Sequence, residues 1–183
     1  MEGLIHFELE ILNGIQNIFS SEIGNYFWSF ITHLGDMGII WIIFTICLLI
    51  YPKTRKIGVI CAISLMCSFI ITNLFLKNMF ERIRPFNYTN IQLLIKKPLD
   101  YSFPSGHTSI SFAFVFVVIK EKLKIKKINL YIPALILGIL IAFSRLYLYV
   151  HFPTDILGGI LVGYVCSIIA FKISKILFKK INI

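Results

Sequence analysis

The sequence predicts an all-α integral membrane helical bundle, and three observations predict it. Of 183 residues 57% are hydrophobic and only 15% are charged, which is more apolar surface than the core of a water-soluble chain of this size can bury. Five segments run without a charge, at 37–51, 57–76, 106–119, 128–144 and 156–171. The 18 Lys and Arg residues behind the net charge of +9 fall unevenly between the turns that join those segments.

The first element is the least apolar. Between residues 1 and 35 apolar side chains recur at helical spacing, in Leu4, Ile11, Ile15 and Ile18 and again in Ile23, Tyr26, Phe27, Phe30, Ile31 and Leu34. This pattern predicts two amphipathic helices at the outer surface, with Ser20 and Ser21 placed to cap the second and Gly35-Asp36 to end it. A weak sixth span is the alternative, and it would move only the N-terminus across. Glu2 stands where a basic region would open a cleavable signal peptide, so none is expected. The expected organisation is an amphipathic segment over 1–35 and a membrane-embedded domain over 36–183, with no internal repeat to divide it.

The first strong span, 37–51, ends at the basic turn Pro52-Lys53-Thr54-Arg55-Lys56. The second, 57–76, delivers Lys77 to Pro85 to the opposite side, where a polar loop containing Pro98 follows over 86–103. Pro104-Ser105-Gly106 opens the third span. A lysine-rich loop joins it to the fourth, which rises to Arg145, and the stretch 149–154 turns into the fifth. Some of these segments are shorter than the ~20 residues an untilted span needs, so polar ends held in protein or at the interface must extend them.

Alternate crossing puts Lys53, Arg55, Lys56, Lys120, Lys122, Lys124, Lys126, Lys127, Lys172, Lys175, Lys179 and Lys180 on one side. The other side receives only Lys77, Arg82, Arg84, Lys96, Lys97 and Arg145. By the positive-inside rule the first side, with the C-terminus, is cytoplasmic. Topology thus accounts for most of the positive charge, and no nucleic-acid partner is expected. Cys47, Cys61, Cys67 and Cys166 lie inside apolar spans without disulfide-like or metal-like spacing and read as small packing residues.

Three polar clusters reach the outer face. In the first, Lys77 is followed after six residues by Arg84-Pro85. A basic residue costs about 2.5 to 3.5 kcal/mol at mid-bilayer, so cations at helix ends need a partner or a wet cavity. Phosphate is such a partner, with Arg offering a planar fork and Lys a point charge; taken singly, these cations more often snorkel to headgroups. The second cluster, Pro104-Ser105-Gly106-His107, sits at a helix start, where free N–H groups and the dipole favour an anion and Gly106 permits close approach. Taken singly it reads equally as a Ser N-cap beside an interfacial His. In the third, Ser144-Arg145 precedes His151 and Asp155. Four residues apart across a helix start, this His and Asp can share a face, so that the carboxylate fixes the tautomer and leaves the other ring nitrogen free to attack.

Together, Lys77-x6-Arg84-Pro85, Pro104-Ser105-Gly106-His107 and Ser144-Arg145-x5-His151-x3-Asp155 resemble the complete three-part signature of the type 2 phosphatidic acid phosphatase family. That family includes lipid phosphate and undecaprenyl-diphosphate phosphatases, and its core resembles vanadium haloperoxidases. The resemblance covers about residues 32–159. It implies that His151 attacks phosphorus, that Asp155 orients it, and that His107 protonates the departing oxygen and then activates water. It also implies phosphate binding by Lys77, Arg84, Ser105, Gly106 and Arg145. The expected activity is hydrolysis of a lipid phosphate at the extracytoplasmic face of a bacterial plasma membrane. No metal, cofactor or obligatory protein partner is expected. The family's usual sixth span precedes 32–36, where this chain carries its amphipathic stretch.

Three rivals make contrary predictions. A metal-dependent hydrolase would share the His and Asp residues, but Lys77, Arg84 and Arg145 would repel a divalent cation from the pocket. A transporter would carry polar residues at several depths, whereas these spans are apolar at mid-depth. A haloperoxidase fits a lipid-embedded chain poorly. Undecaprenyl diphosphate, phosphatidylglycerol phosphate, phosphatidate and a lipid A-type saccharolipid all remain as substrates. The short outer loop and the 32–36 element resemble most the bacterial enzymes for the first two. Arg82, Lys96 and Lys97 are candidates to hold a second phosphate or the adjacent headgroup.

Overall fold

The computed structural model describes residues 2–125 and 128–181, so Lys126 and Lys127 of the expected cytoplasmic set lie outside the described residues. Most of the described residues are helical. The N-terminal stretch forms α1 (Glu2–Phe19) and α2 (Glu22–Leu34), and the Ser21 hydroxyl caps α2 by accepting from Gly24 N–H at 3.0 Å. Gly35 ends α2, as the sequence predicts, and a 3-10 turn at Asp36–Gly38 leads into α3 (Ile39–Ile50) with a 44° bend.

α4 (Arg55–Phe69) continues through a π-helical segment, Ile70–Leu76, into the single turn α5 (Lys77–Phe80). A non-helical loop, apart from a 3-10 turn at Pro85–Asn87, carries the chain to α6 (Gly106–Lys120). A two-residue strand pair, β1 (Lys124–Ile125) with β2 (Ile128–Asn129), separates α6 from α7 (Tyr131–Tyr147). The fourth helix therefore starts three residues later than the apolar run beginning at 128. α8 (Pro153–Ile181) runs beyond its predicted end at 171, so Lys172, Lys175, Lys179 and Lys180 belong to the helix itself.

α6 is the central helix and packs against α4, α7 and α8. Phe112, Ala113, Phe114, Val115, Val117 and Val118 are buried around its whole circumference, which is why it shows no amphipathic stripe. Its contact with α8 is close because Gly159 and Gly163 face it: a Cβ at Gly159 would lie 2.8 Å from Ser105 O, and one at Gly163 would lie 2.7 Å from Ala113 N. Hydroxyls join the helices further, with Ser109 Oγ 2.7 Å from Ser68 Oγ and 2.8 Å from Thr72 Oγ1, and Trp41 Nε1 donating to Ser111 Oγ at 2.8 Å. Such small-residue and hydroxyl contacts are how helices pack where water supplies no hydrophobic drive.

The outward faces are apolar, with Ile42, Ile43, Ile46, Met66, Phe69, Ile136, Ile139, Leu157 and Leu161 all exposed. Lipid rather than water suits a surface of this kind. Among the described residues, Pro52–Asn87 and Pro153–Lys180 are long and apolar enough to cross a membrane, and the bent pair Glu22–Leu34 with Asp36–Ile50 is a third such stretch. α6 and α7 are shorter apolar helices. The basic ends converge: Lys56 at the start of α4 lies over the Phe178 ring at 5.9 Å, and Lys120 at the end of α6 over Phe171 at 4.1 Å. The opposite end of the bundle gathers the three polar clusters.

Candidate active site

Where α4 gives way to the π-helical segment and α5, the chain turns Lys77 inward, and Glu81, with a positive φ of 46°, ends the helix. The following residues carry Arg82 and Arg84. Ser105 caps α6 and presents Gly106 and His107 in its first turn. α7 supplies Arg145 from its last turn. The connection to α8 passes through Tyr149, whose φ is 60°, to His151, and Pro153 opens the helix that carries Asp155. Lys77, Arg84, Arg145, His151 and Asp155 are all buried.

Lys77, Arg84, Lys96, Lys97, Gly106, His107, Arg145 and His151 line one cavity of about 470 Å³, together with Thr32, Asp36 and Asp100. His151 sits between two partners. Its Nδ1 lies 3.3 Å from Asp155 Oδ2, and its Nε2 lies 3.1 Å from Arg84 Nη1. Asp155 Oδ2 also accepts from Phe152 N–H at 2.8 Å and from the Ser102 hydroxyl. With the carboxylate holding Nδ1–H, the lone pair belongs to Nε2 and faces the cations. Burial, followed by Arg84, Arg145 and Lys77, pushes His151 well below its ordinary value of 6.5 and favours the neutral ring.

Three of the cations are held differently. Arg84 donates to Asp100 O at 2.8 Å, to Val150 O at 2.7 Å and to Asp100 Oδ1 at 2.7 Å. Lys77 donates to the other oxygen of the same carboxylate, so Asp100 bridges the two. Partial burial pushes the Asp100 carboxyl up, but Lys77 and Arg84 outweigh it and hold the group well below the usual carboxylate range. Arg145 donates Nη1 to Thr32 Oγ1 at 2.5 Å, while its buried Nε has no hydrogen-bond partner among the described residues. An unpaired buried donor of a charged group is costly, and Arg145 is one of the residues that line the cavity.

Some predicted residues fall elsewhere. Ser105 is fully buried behind the cavity wall, where its hydroxyl accepts from Thr108 Oγ1 at 3.0 Å; its observed contacts are those of a helix cap. Asp155 supports His151 from behind. Arg82 is not on the cavity wall and corrects the expectation of a headgroup contact: it donates Nη1 to Asp155 Oδ1 at 2.6 Å and Nη2 to Glu8 Oε2 at 2.5 Å. Gly106 lines the cavity, and a Cβ there would meet Lys77 Nζ at 3.8 Å, an ordinary van der Waals contact.

Four further groups had no role in the sequence reading. Asp36 Oδ1 lies 2.9 Å from His107 Nε2, Thr32 holds Arg145, Asp100 bridges Lys77 and Arg84, and Glu8 holds Arg82. Asp36 and Thr32 bound an element the sequence singles out by resemblance alone, so a signal was there for these two.

The chain is similar to several known proteins. Undecaprenyl-diphosphatase of Sulfolobus acidocaldarius is 34% identical over 137 residues, covering 74% of this chain and 64% of the relative's length. Undecaprenyl-diphosphatase BcrC of Bacillus subtilis is 30% identical over 148 residues, covering 81% of this chain and 74% of BcrC. The crystal structure of Aquifex aeolicus LpxE superposes with a TM-score of 0.75 at 28% identity, over 90% of this chain and 94% of LpxE. The family model described as PAP2 superfamily matches residues 57–179, a stretch that holds every residue of the three-part signature. The signature, the helical core and these matches converge on one assignment: the chain belongs to the PAP2 superfamily.

Proposed function

We propose that the protein is a metal-independent membrane phosphatase that hydrolyses a lipid phosphate through a phosphohistidine on His151. The observation that carries this reading is the setting of the His151 ring, backed by Asp155 at 3.3 Å and facing Arg84 at 3.1 Å across a cavity ringed by cations. A phosphate entering the cavity exchanges with the Asp100 carboxylate on Lys77 and Arg84 and takes up the unpaired Nε of Arg145. The α6 N-terminus adds its dipole. These groups hold the non-bridging oxygens and align phosphorus with His151 Nε2, which is most of what phosphoryl transfer requires.

As the Nε2–P bond forms, the bond to the lipid oxygen breaks, and Asp155 steadies the positive ring. His107 donates the proton that the leaving oxygen needs. Asp36 holds Nε2 of His107, which leaves Nδ1 for that transfer. In the second half His107 takes a proton from water, which attacks phosphorus and frees His151. No step calls for a metal.

The substrate we favour is undecaprenyl diphosphate. Both curated relatives described above carry that activity in their names, and Lys96 and Lys97 stand on the cavity wall beside the inner cations, where a second phosphate would lie. The chain is proposed to cross the membrane five times, with the site extracytoplasmic and the C-terminus cytoplasmic. The antiparallel run of α4, α6, α7 and α8 supports this, as does the lysine-rich end opposite the site. α6 and α7, at 15 and 17 residues, cover about 22 and 26 Å, so the bilayer must thin or the polar ends must complete the crossing.

The test is turnover by purified protein of undecaprenyl diphosphate, phosphatidylglycerol phosphate, phosphatidate and a lipid A-type saccharolipid, with His151→Ala as blank. Phosphate release, together with an acid-labile, alkali-stable phosphoryl group on His151, is expected. Wild-type release by His151→Ala sinks the mechanism, and lipid flux without hydrolysis sinks the enzyme. For topology, a membrane-impermeant thiol reagent on intact cells should label Leu99→Cys and spare Lys122→Cys.

A further inference from the structure

Asp155 carries more than the histidine. Its Oδ1 accepts from Arg82 Nη1 at 2.6 Å, and Arg82 is the hub of a second assembly. Nη1 also reaches Thr154 Oγ1 at 2.6 Å, Nη2 reaches Glu8 Oε2 at 2.5 Å, and the guanidinium lies over the Phe152 ring at 4.2 Å. The other oxygen of Glu8 accepts from Thr154 N–H at 2.9 Å and from the Thr154 hydroxyl at 2.7 Å. Glu8 is 1% exposed, although it belongs to a helix whose neighbouring side chains are largely open. It also lies outside the 57–179 stretch that matches the family.

Charge explains why Arg82 has two acidic partners. A lone Arg82 against Asp155 would neutralise the carboxylate that must steady His151 once the ring turns positive. With Glu8 on its far side, the set of Glu8, Arg82 and Asp155 keeps a net charge of −1 next to the ring, while Asp155 is still fixed by a strong charge-assisted bond. We propose that Glu8 and Arg82 are positioning residues for catalysis: α1 supplies a buried carboxylate that shares Arg82 with Asp155, so that Asp155 is held in place and keeps its charge for His151.

This rests on His151 being the nucleophile. The ring faces Arg84, Arg145, Lys77 and His107 from the cavity side, with Asp100 beyond Arg84 and Asp36 beyond His107. Asp155 is the carboxylate that touches it, so a change in how Arg82 engages Asp155 reaches the ring directly. A helix-docking role for Glu8 would alter folded yield and leave the chemistry of each folded molecule as it was.

The experiment measures kcat and KM against pH for purified full-length wild type, Glu8→Gln, Arg82→Gln, Glu8→Asp and His151→Ala, per folded molecule. Glu8→Gln leaves Arg82 wholly to Asp155, so the ring protonates less readily. The acid limb of kcat/KM moves to lower pH, and kcat falls about ten-fold with KM nearly unchanged. Arg82→Gln removes a cation, and the limb moves to higher pH. Glu8→Asp keeps the buried charge but withdraws it by one methylene, so the limb stays in place and kcat falls several-fold. Limbs that do not separate in opposite directions, or a wild-type kcat in Glu8→Asp, overturn the inference and leave His151 as assigned. Wild-type turnover by His151→Ala would instead remove the reading beneath it.

Discussion

His151 stands between two ion-pair assemblies built from the same chemistry and differing in burial. On the cavity side Asp100 bridges Lys77 and Arg84, with its side chain 51% exposed. On the helix side Asp155 and Glu8 share Arg82, with the carboxylate side chains 0% and 2% exposed. Water can follow the first carboxylate as it leaves, so its contacts are exchangeable. The second is closed off, and removing one member would strand a charge in a dry site. The proposed reaction at phosphorus would use both kinds: cations free to change partner in front, and a fixed orientation behind.

The widest gap between the two sides should appear in substitutions that strike the fixed one. Asp155→Asn preserves shape and removes the charge, and kcat should fall by about 10³- to 10⁴-fold, as when a carboxylate no longer sets a catalytic tautomer. KM should hold within a few-fold, since the cavity cations are untouched. Steady-state kinetics on the wild-type substrate measures both, and a fall confined to KM would place Asp155 on the wrong side of the comparison.

Next in size is Arg145→Lys. The buried Nε and the Thr32 contact both depend on a planar fork, and an ammonium cannot serve both. We expect kcat/KM to drop about 100-fold, with most of the loss in transition-state binding. Competitive inhibition by vanadate should weaken in parallel. Equal vanadate inhibition in the two proteins would mean that Arg145 is a structural cation.

Asp100→Asn should act in the opposite direction. If the carboxylate holds the place of phosphate, its neutralisation leaves Lys77 and Arg84 readier for an anion, and the inhibition constant for inorganic phosphate should fall about three- to ten-fold. Product release slows as a result. A weaker phosphate affinity would show that Asp100 supports the cations and does not compete for them. Acid pH does not mimic the variant, because Lys77 and Arg84 hold the Asp100 carboxyl far below its usual range. The His151 ring is likewise held well below 6.5, so kcat/KM should stay flat as pH falls from neutrality through 6.5 and decline only beyond it. A decline centred at 6.5 would mean a solvated ring.

The cations of the cavity and the His151–Asp155 pair were legible in the sequence, and the acids that hold the cations were not, for physical reasons. Lys77, Arg84, His107, Arg145, His151 and Asp155 stand in motifs, at a helix end or one turn apart, as the proposed phosphate chemistry would demand. Asp100 and Glu8 are single acids in a loop and an amphipathic helix, and no spacing ties either to its partner 16 or 74 positions away. Arg82 was visible but misplaced. Sequence gives the membrane side of a residue and not the direction of its side chain, and Arg82 and Arg84, two residues apart, grip the His151–Asp155 pair from opposite ends. The fold class follows from composition. The start of α7 does not, because Ile128–Asn129 form β2 although they open the uncharged run.

The smallest expected effect lies at the rim of the exchangeable side and decides the substrate. Lys96 and Lys97 line the cavity, and Lys97 Nζ sits 4.9 Å from the Phe86 ring centroid, so it is oriented by packing more than by an ion pair. A terminal phosphate in the inner cradle would leave the second phosphate of a diphosphate near these lysines, whereas a monophosphate leaves them nothing to hold. Lys96→Gln/Lys97→Gln should therefore raise KM for undecaprenyl diphosphate about five-fold, consistent with an exposed charge contact of about 1 kcal/mol. Phosphatidate should be nearly indifferent, and the difference should shrink as salt is added, because screening acts on exposed charges first. Equal effects on the two lipids would assign these lysines to the membrane surface and leave substrate choice to the chain beyond the phosphate.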